Sequence, residues 1–127
     1  MVSFEAFRAV DGTPVYLQII NFIKRGAIAG TIRDGDELPS RRVLSALLGI
    51  NPNTVQKAFH MLEEEHLMES RTGTKSCMTL PPDILDALRR EVLSDELRTM
   101  ARTLRQLGIS KEAALRLIEQ AWEEEDE

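Results

Sequence analysis

The sequence predicts a mostly α-helical protein with a small β-hairpin: an N-terminal winged helix-turn-helix followed by a two-helix C-terminal dimerisation tail. Three observations carry this. Two helix starts, Leu38-Pro39-Ser40 and Asn51-Pro52, are separated by a single short helix that Gly49 ends. Two short apolar runs then flank a Gly-containing polar tip. Beyond Pro81-Pro82 the apolar residues fall on helical seams with no strand signal left. The predicted division is 1–80 for the winged domain and 81–127 for the helical region.

The first helix is expected to start at Thr13-Pro14, with Thr13 as N-cap and proline in the first turn. Tyr16, Ile19, Ile20, Ile23 and Ala27 recur on one face, and Gly30 is the expected stop. Arg33-Asp34-Gly35-Asp36 reads as a turn. Ser40 caps the second helix, whose expected buried face is Val43, Leu44, Leu47 and Leu48. The third helix runs from Pro52 to about His66, with Asn51 as cap and Ile50 and Val55 spaced for a hydrophobic staple. A short helix, a tight turn and a longer helix form the helix-turn-helix pattern. Leu67–Ser70 and Ser76–Leu80 are the expected strands, joined by Arg71-Thr72-Gly73-Thr74-Lys75. A fourth helix is expected from about Asp83 to Leu107, before Gly108, and a fifth from Ser110.

Composition bounds the chemistry. Of 127 residues, 43 % are hydrophobic and 5 % aromatic, which predicts an aliphatic core. The single cysteine, Cys77, excludes an internal disulfide and a zinc site built on several thiolates, and reads as a small apolar filler. His60 and His66 fall on different faces of one helix, so they cannot share a metal. No nucleophile elbow, phosphate loop or dinucleotide fingerprint occurs. An enzyme is therefore not expected, and neither is a cofactor. No apolar run reaches the ~18 residues that span a bilayer, and no signal peptide is visible, so a cytoplasmic protein with no membrane partner is expected.

The net charge of −5 belongs to the second part of the chain. Residues 1–80 hold nine basic and nine acidic side chains, and residues 81–127 hold seven and twelve. Nucleic-acid binding by the first part would therefore use a local basic face rather than a global field.

The third helix supplies such a face. Asn53, Gln56, Lys57 and His60 recur at i, i+3, i+4 and i+7, while Val55, Phe59 and Leu62 line the opposite side. Asn and Gln match the donor–acceptor pair of adenine, and lysine suits guanine or phosphate. Acids return only at Glu63, Glu64 and Glu65. An ordinary solvated helix face is the alternative. Arg41 and Arg42 open the second helix, where the macrodipole favours acids by about 0.3–1 kcal/mol. A phosphate would resolve that conflict; so would solvent, or a pair with Asp36 or Glu37. The tip at Arg71, Thr72, Gly73, Thr74 and Lys75 reads as a wing reaching for backbone or minor groove, though polar tips also serve solubility alone.

Pro14-Val15-Tyr16-Leu17-Gln18-Ile19, Gly35-Asp36-Glu37-Leu38-Pro39-Ser40-Arg41-Arg42, Asn51-Pro52-Asn53-Thr54-Val55-Gln56-Lys57-Ala58-Phe59 and Leu62-Glu63 together resemble the winged helix-turn-helix of the GntR family of bacterial transcription regulators. The short tail is similar to that of the YtrA subfamily, in which it mediates dimerisation and no large effector domain exists. The resemblance implies that Arg42, Asn51, Asn53, Thr54, Gln56, Lys57 and the wing Arg71–Lys75 contact DNA. The chain departs from the family at His66, where glycine is common, and in the wing, where one of two glycines remains as Gly73.

In the tail, Leu93, Leu97, Met100, Leu104 and Leu107 step as a heptad seam, the expected dimer interface. Leu85, Leu88 and Val92 form an earlier seam one residue out of phase. The fifth helix, with Ala114, Leu117, Ile118, Ala121 and Trp122 on one face, would cover part of a seam; a second chain would cover the rest, unless the tail packs back on the winged domain. Two helices should enclose too little volume for a ligand site of ~300 Å³. The expected function is a homodimeric, sequence-specific DNA-binding transcription regulator, a repressor on an inverted repeat, with double-stranded DNA as partner. The alternative is a winged-helix protein-interaction module that does not bind DNA. The sequence leaves any small-molecule effector unknown.

Overall fold

The structure, a computed structural model, describes residues 1–70 and 75–125. In chain order it contains α1 (Val15–Ala29), β1 (Glu37–Leu38), α2 (Arg41–Leu48), α3 (Pro52–Glu64), β2 (Met68–Ser70), β3 (Ser76–Met78), α4 (Pro82–Gln106) and α5 (Lys111–Glu125). The chain divides into two compact units, Met1–Arg90 and Glu91–Glu127. None of the described helices is long and apolar enough to cross a membrane.

The caps explain where the first unit's helices begin and end. Ser40 Oγ accepts from the Val43 amide, and Asn51 Oδ1 accepts from the Asn53 amide, so both helices of the helix-turn-helix have one orphan donor satisfied. Gly49 ends α2 in the left-handed region (φ 66°), where glycine meets no Cβ penalty. Ser45, buried in α2, donates its hydroxyl to the Ile50 carbonyl and so ties the turn together. Thr13, expected to cap α1, does not: the helix starts at Val15 without a side-chain cap. The Gln18 amide instead folds back on the entering chain. Its Oε1 accepts from the Val10 amide, and its Nε2 donates to the Val10 and Thr13 carbonyls.

α3 ends in a Schellman-type turn, with the Leu67 amide donating to the Leu62 carbonyl. His66 occupies its left-handed position at φ 63°, among the described residues the one non-glycine with positive φ. Glycine would take this conformation without the Cβ penalty that histidine carries there.

The sheet has three strands rather than the expected two, in antiparallel order β1-β3-β2. β1 comes from Glu37-Leu38, which the sequence offered only as the approach to a helix. Glu37 pairs with Cys77, and Ser70 pairs with Ser76. The Val2 amide adds a bond to the Glu37 carbonyl, and Asp34 Oδ1 accepts from the Leu80 amide.

The core contains Ile19, Ile23, Leu44, Val55, Phe59 and Leu62, all below 2 % exposed. One expectation is corrected here. Leu47 is 69 % exposed and Val43 49 %, so α2 buries Leu44 and Ser45 and not its whole apolar set. An eight-residue helix packed on one neighbour hides a single narrow stripe. The buried set is mostly aliphatic, as expected, and beside it Phe4, Phe7 and Phe22 form a cluster with centroids 5.2–6.3 Å apart, which seats the N-terminal arm on α1.

α4 is an uninterrupted helix, and its earlier seam reaches from the first unit, with Leu85 and Leu88, into the second, with the half-buried Val92. Leu88, on the earlier seam, is buried within the first unit. From Glu91 onward none of the described residues is buried. α5 is capped by Ser110, whose Oγ accepts from the Ala113 amide, but it hides no residue of its own.

Candidate nucleic-acid interface

α3 presents Asn53, Gln56, Lys57 and His60 as exposed side chains above the buried Val55, Ala58, Phe59 and Leu62. No acid lies in its first turn. The face is therefore polar, solvated and free of fixed anionic repulsion at the end from which bases would be read. Thr54 is half-buried, and the Asn51 oxygen is committed to its cap, which leaves its amide nitrogen as the available donor. At the far end His60 Nε2 lies 2.9 Å from Glu64 Oε1, one turn along the same helix. Lys57 is held differently: its Nζ stands 4.0 Å from the ring centroid of Tyr16, on α1.

The two arginines at the start of α2 part company. Arg42 is exposed and makes no ion pair among the described residues. Arg41 turns toward α3, its guanidinium 5.8 Å from the Phe59 ring centroid and 3.5 Å from Glu63 Oε1. The partners considered from sequence are engaged elsewhere. Asp36 Oδ2 accepts from the Arg33 amide, and Glu37 lies 3.9 Å from Lys75 Nζ. Each member of the Arg41–Glu63 pair opposes its own helix dipole, a cation at an N-terminus and an acid in a last turn. Their proximity relieves both. Glu63 Oε1 also accepts from Ser70 Oγ at 2.8 Å, which links the end of α3 to the strand that leads into the wing.

Arg71, Thr72, Gly73 and Thr74 lie outside the described residues. Lys75 is exposed at the start of the returning strand, and the Ser70–Ser76 pairing fixes the root of the wing.

The expected interface residues of the tail, Leu93, Leu97, Met100 and Leu107, are exposed, and Leu104 is half-buried. An open apolar groove of about 550 Å³ runs between α4 and α5, lined by Leu97, Met100, Leu104, Ile109, Leu115 and Ile118 among others. The groove is open to solvent along its length and is not an enclosed cavity. α5 adds Leu115 and Trp122 to the exposed set, Trp122 at 72 %. Sequence reasoning missed two further features. The cation–aromatic contact of Lys57 with Tyr16 joins residues far apart in the chain. The Glu63–Ser70 link was hidden because Glu63 reads as the first of three surface acids.

Comparison with known proteins agrees with this geometry. The family of bacterial regulatory proteins, gntR family, matches residues 15–75. The HTH-type transcriptional regulator YhcF of Bacillus subtilis is 29 % identical over 102 residues, covering 80 % of this chain and 84 % of its own. The HTH-type transcriptional repressor YtrA of Bacillus subtilis is 44 % identical over 63 residues, half of this chain and 48 % of its own. Among solved structures, a GntR family transcriptional regulator from Listeria monocytogenes superposes with a TM-score of 0.81 at 28 % identity, covering 88 % of this chain and 98 % of its own.

Proposed function

The chain belongs, through residues 15–75, to the GntR family of transcription regulators with a DNA-binding helix-turn-helix, and on that premise we propose that it is a homodimeric repressor that binds an inverted repeat in double-stranded DNA. The observation that carries the reading is the exposed, acid-free face of Asn53, Gln56 and Lys57 on a helix whose other side is wholly buried. α3 enters the major groove. Gln56 and Asn53 read base edges, and Lys57 takes guanine or phosphate. Arg42, Arg41 and the amide of Asn51 approach the backbone, as does the wing from Arg71 to Lys75. Residues 1–80 serve as the DNA-binding domain and residues 81–127 as the dimerisation region. The unburied apolar surface of α4 and α5 supports the second assignment. The 44 % identity to a protein named a repressor supports the sign of regulation and a place in the YtrA subfamily. Such a protein works in the cytoplasm, where the DNA is.

The experiment is selection of a duplex from a random double-stranded library by the full-length protein, followed by footprinting and titration against salt. The expected footprint is two-fold symmetric. Log affinity should fall linearly with log salt, at a slope of about −0.9 per phosphate neutralised. Failure to enrich any sequence over a scrambled duplex would favour the docking-module alternative and reject the proposal.

A further inference from the structure

We propose that Tyr16 is a positioning residue of the DNA interface, acting through Lys57; the inference rests on α3 being the recognition helix. Lys57 Nζ lies 4.0 Å from the Tyr16 ring centroid, well inside the ~6 Å over which a ring face attracts an ammonium. Tyr16 is in the first turn of α1 and half-buried, and that helix is anchored by the fully buried Ile19 and Ile23. The ring is thus part of the rigid body of the domain, while Lys57 is exposed and has no carboxylate partner among the described residues.

Lysine is among the side chains that lose most rotamer freedom when immobilised. Holding its ammonium over a fixed ring removes part of that loss before DNA arrives, and pre-organisation of this kind appears directly as affinity. The ring engages one side of the ammonium and accepts no strong hydrogen bond, so N–H donors remain for a guanine edge or a phosphate. A carboxylate in the same place would hold the lysine as well but would neutralise it and repel the DNA backbone. An aromatic face leaves the positive charge intact. The specificity of α3 therefore depends in part on a residue of α1.

The test uses the full-length protein, a duplex selected by the parent, and a scrambled duplex of the same composition. The variants are Tyr16→Phe, Tyr16→Met, Tyr16→Leu, Lys57→Ala, Gln56→Ala, and Tyr16→Met combined with Lys57→Ala. Tyr16→Phe keeps the ring face and should bind within about two-fold of the parent. Tyr16→Met, which keeps bulk and loses the ring, should weaken the selected duplex by roughly 3- to 10-fold, the range of a cation–aromatic contact of this kind. It should change scrambled-duplex binding by less than about two-fold. Tyr16→Leu provides a second ring-free variant should methionine disturb the packing. In the Lys57→Ala background Tyr16→Met should cost nothing further. In carbon–proton NMR of the free protein, the Lys57 ε-methylene should be shifted upfield by the ring in the parent and in Tyr16→Phe, and should revert in Tyr16→Met. A merely structural role for Tyr16 would not produce that pattern.

Multiplicative losses in the double variant, or parental binding by both Tyr16→Met and Tyr16→Leu, overturn the proposal. So does a Tyr16→Phe loss equal to that of Tyr16→Met, which would assign the effect to the hydroxyl. If Lys57→Ala costs nothing while Gln56→Ala weakens binding, the inference fails and the recognition-helix reading stands. If neither costs anything, both fail.

Discussion

Leu44 and Leu97 are leucines on apolar stripes of two helices, yet Leu44 is fully buried and Leu97 is 62 % exposed. The contrast extends to their units. Met1–Arg90 hides Ile19, Ile23, Val55, Phe59 and Leu62 against one another, whereas Glu91–Glu127 hides none of its described residues. An apolar stripe states that a helix needs a partner surface. It does not state which chain supplies it. In the first unit α1, α2, α3 and the sheet serve each other; in the second the two helices leave a groove open between them.

The widest gap between the two regions should appear in variants that look harmless in one chain. Leu97→Asp with Leu104→Asp changes no fully buried side chain. In a dimer it would place charge in the seam. The expected outcome is a monomer by sedimentation and a loss of roughly 10²- to 10⁴-fold in affinity for a full inverted repeat, as the second binding event ceases to be local. A monomeric variant with undiminished affinity would remove the tail from DNA binding.

In the first unit the same logic runs on burial alone. Phe59→Ala should cost about 3–5 kcal/mol and Leu44→Ala about 2–5 kcal/mol, measured by denaturant unfolding, because each leaves a cavity in a packed interior. A loss under about 1 kcal/mol at either would contradict its place in a packed interior.

Gln56→Ala should leave unfolding unchanged and weaken the selected duplex by about 1–3 kcal/mol, read as a change in specificity at one base position. Arg42→Ala should instead weaken all sequences alike and lower the salt slope by about one phosphate's worth, roughly 0.9. Exchange of these two signatures would reverse the assignment of base reader and backbone contact.

The smallest effect is the most pointed. Leu47→Ser should alter stability by no more than about 0.5 kcal/mol, against the large cost at Leu44 three residues earlier. A core-sized loss at Leu47 would restore the broader buried face that its sequence pattern suggests.

Much of the candidate site is legible in the sequence alone. The exposed Asn53, Gln56 and Lys57 and the buried Val55, Phe59 and Leu62 follow from helical period alone, because a single helix has only one way to sort its faces. The caps at Ser40 and Asn51 follow from local chemistry within a few residues. The misses share a different cause. Arg41 was read as one of an equivalent pair, but Glu63 lies 22 residues further on. The third strand, the phenylalanine cluster and the link from Glu63 to Ser70 likewise join segments whose proximity no local pattern encodes.

The sequence by itself therefore determined where α2 and α3 begin and where α1 and α2 stop, which side of α3 is polar, and that α4 carries two seams out of phase. These depend on backbone propensity, capping and period, all of them short-range. Only the tertiary structure decided that α2 hides Leu44 and leaves Leu47 in solvent, that Arg41 serves Glu63 while Arg42 stays exposed, and that Lys57 rests on Tyr16. Those outcomes depend on which surfaces meet, and a contact between distant residues is a property of the packed chain rather than of either segment.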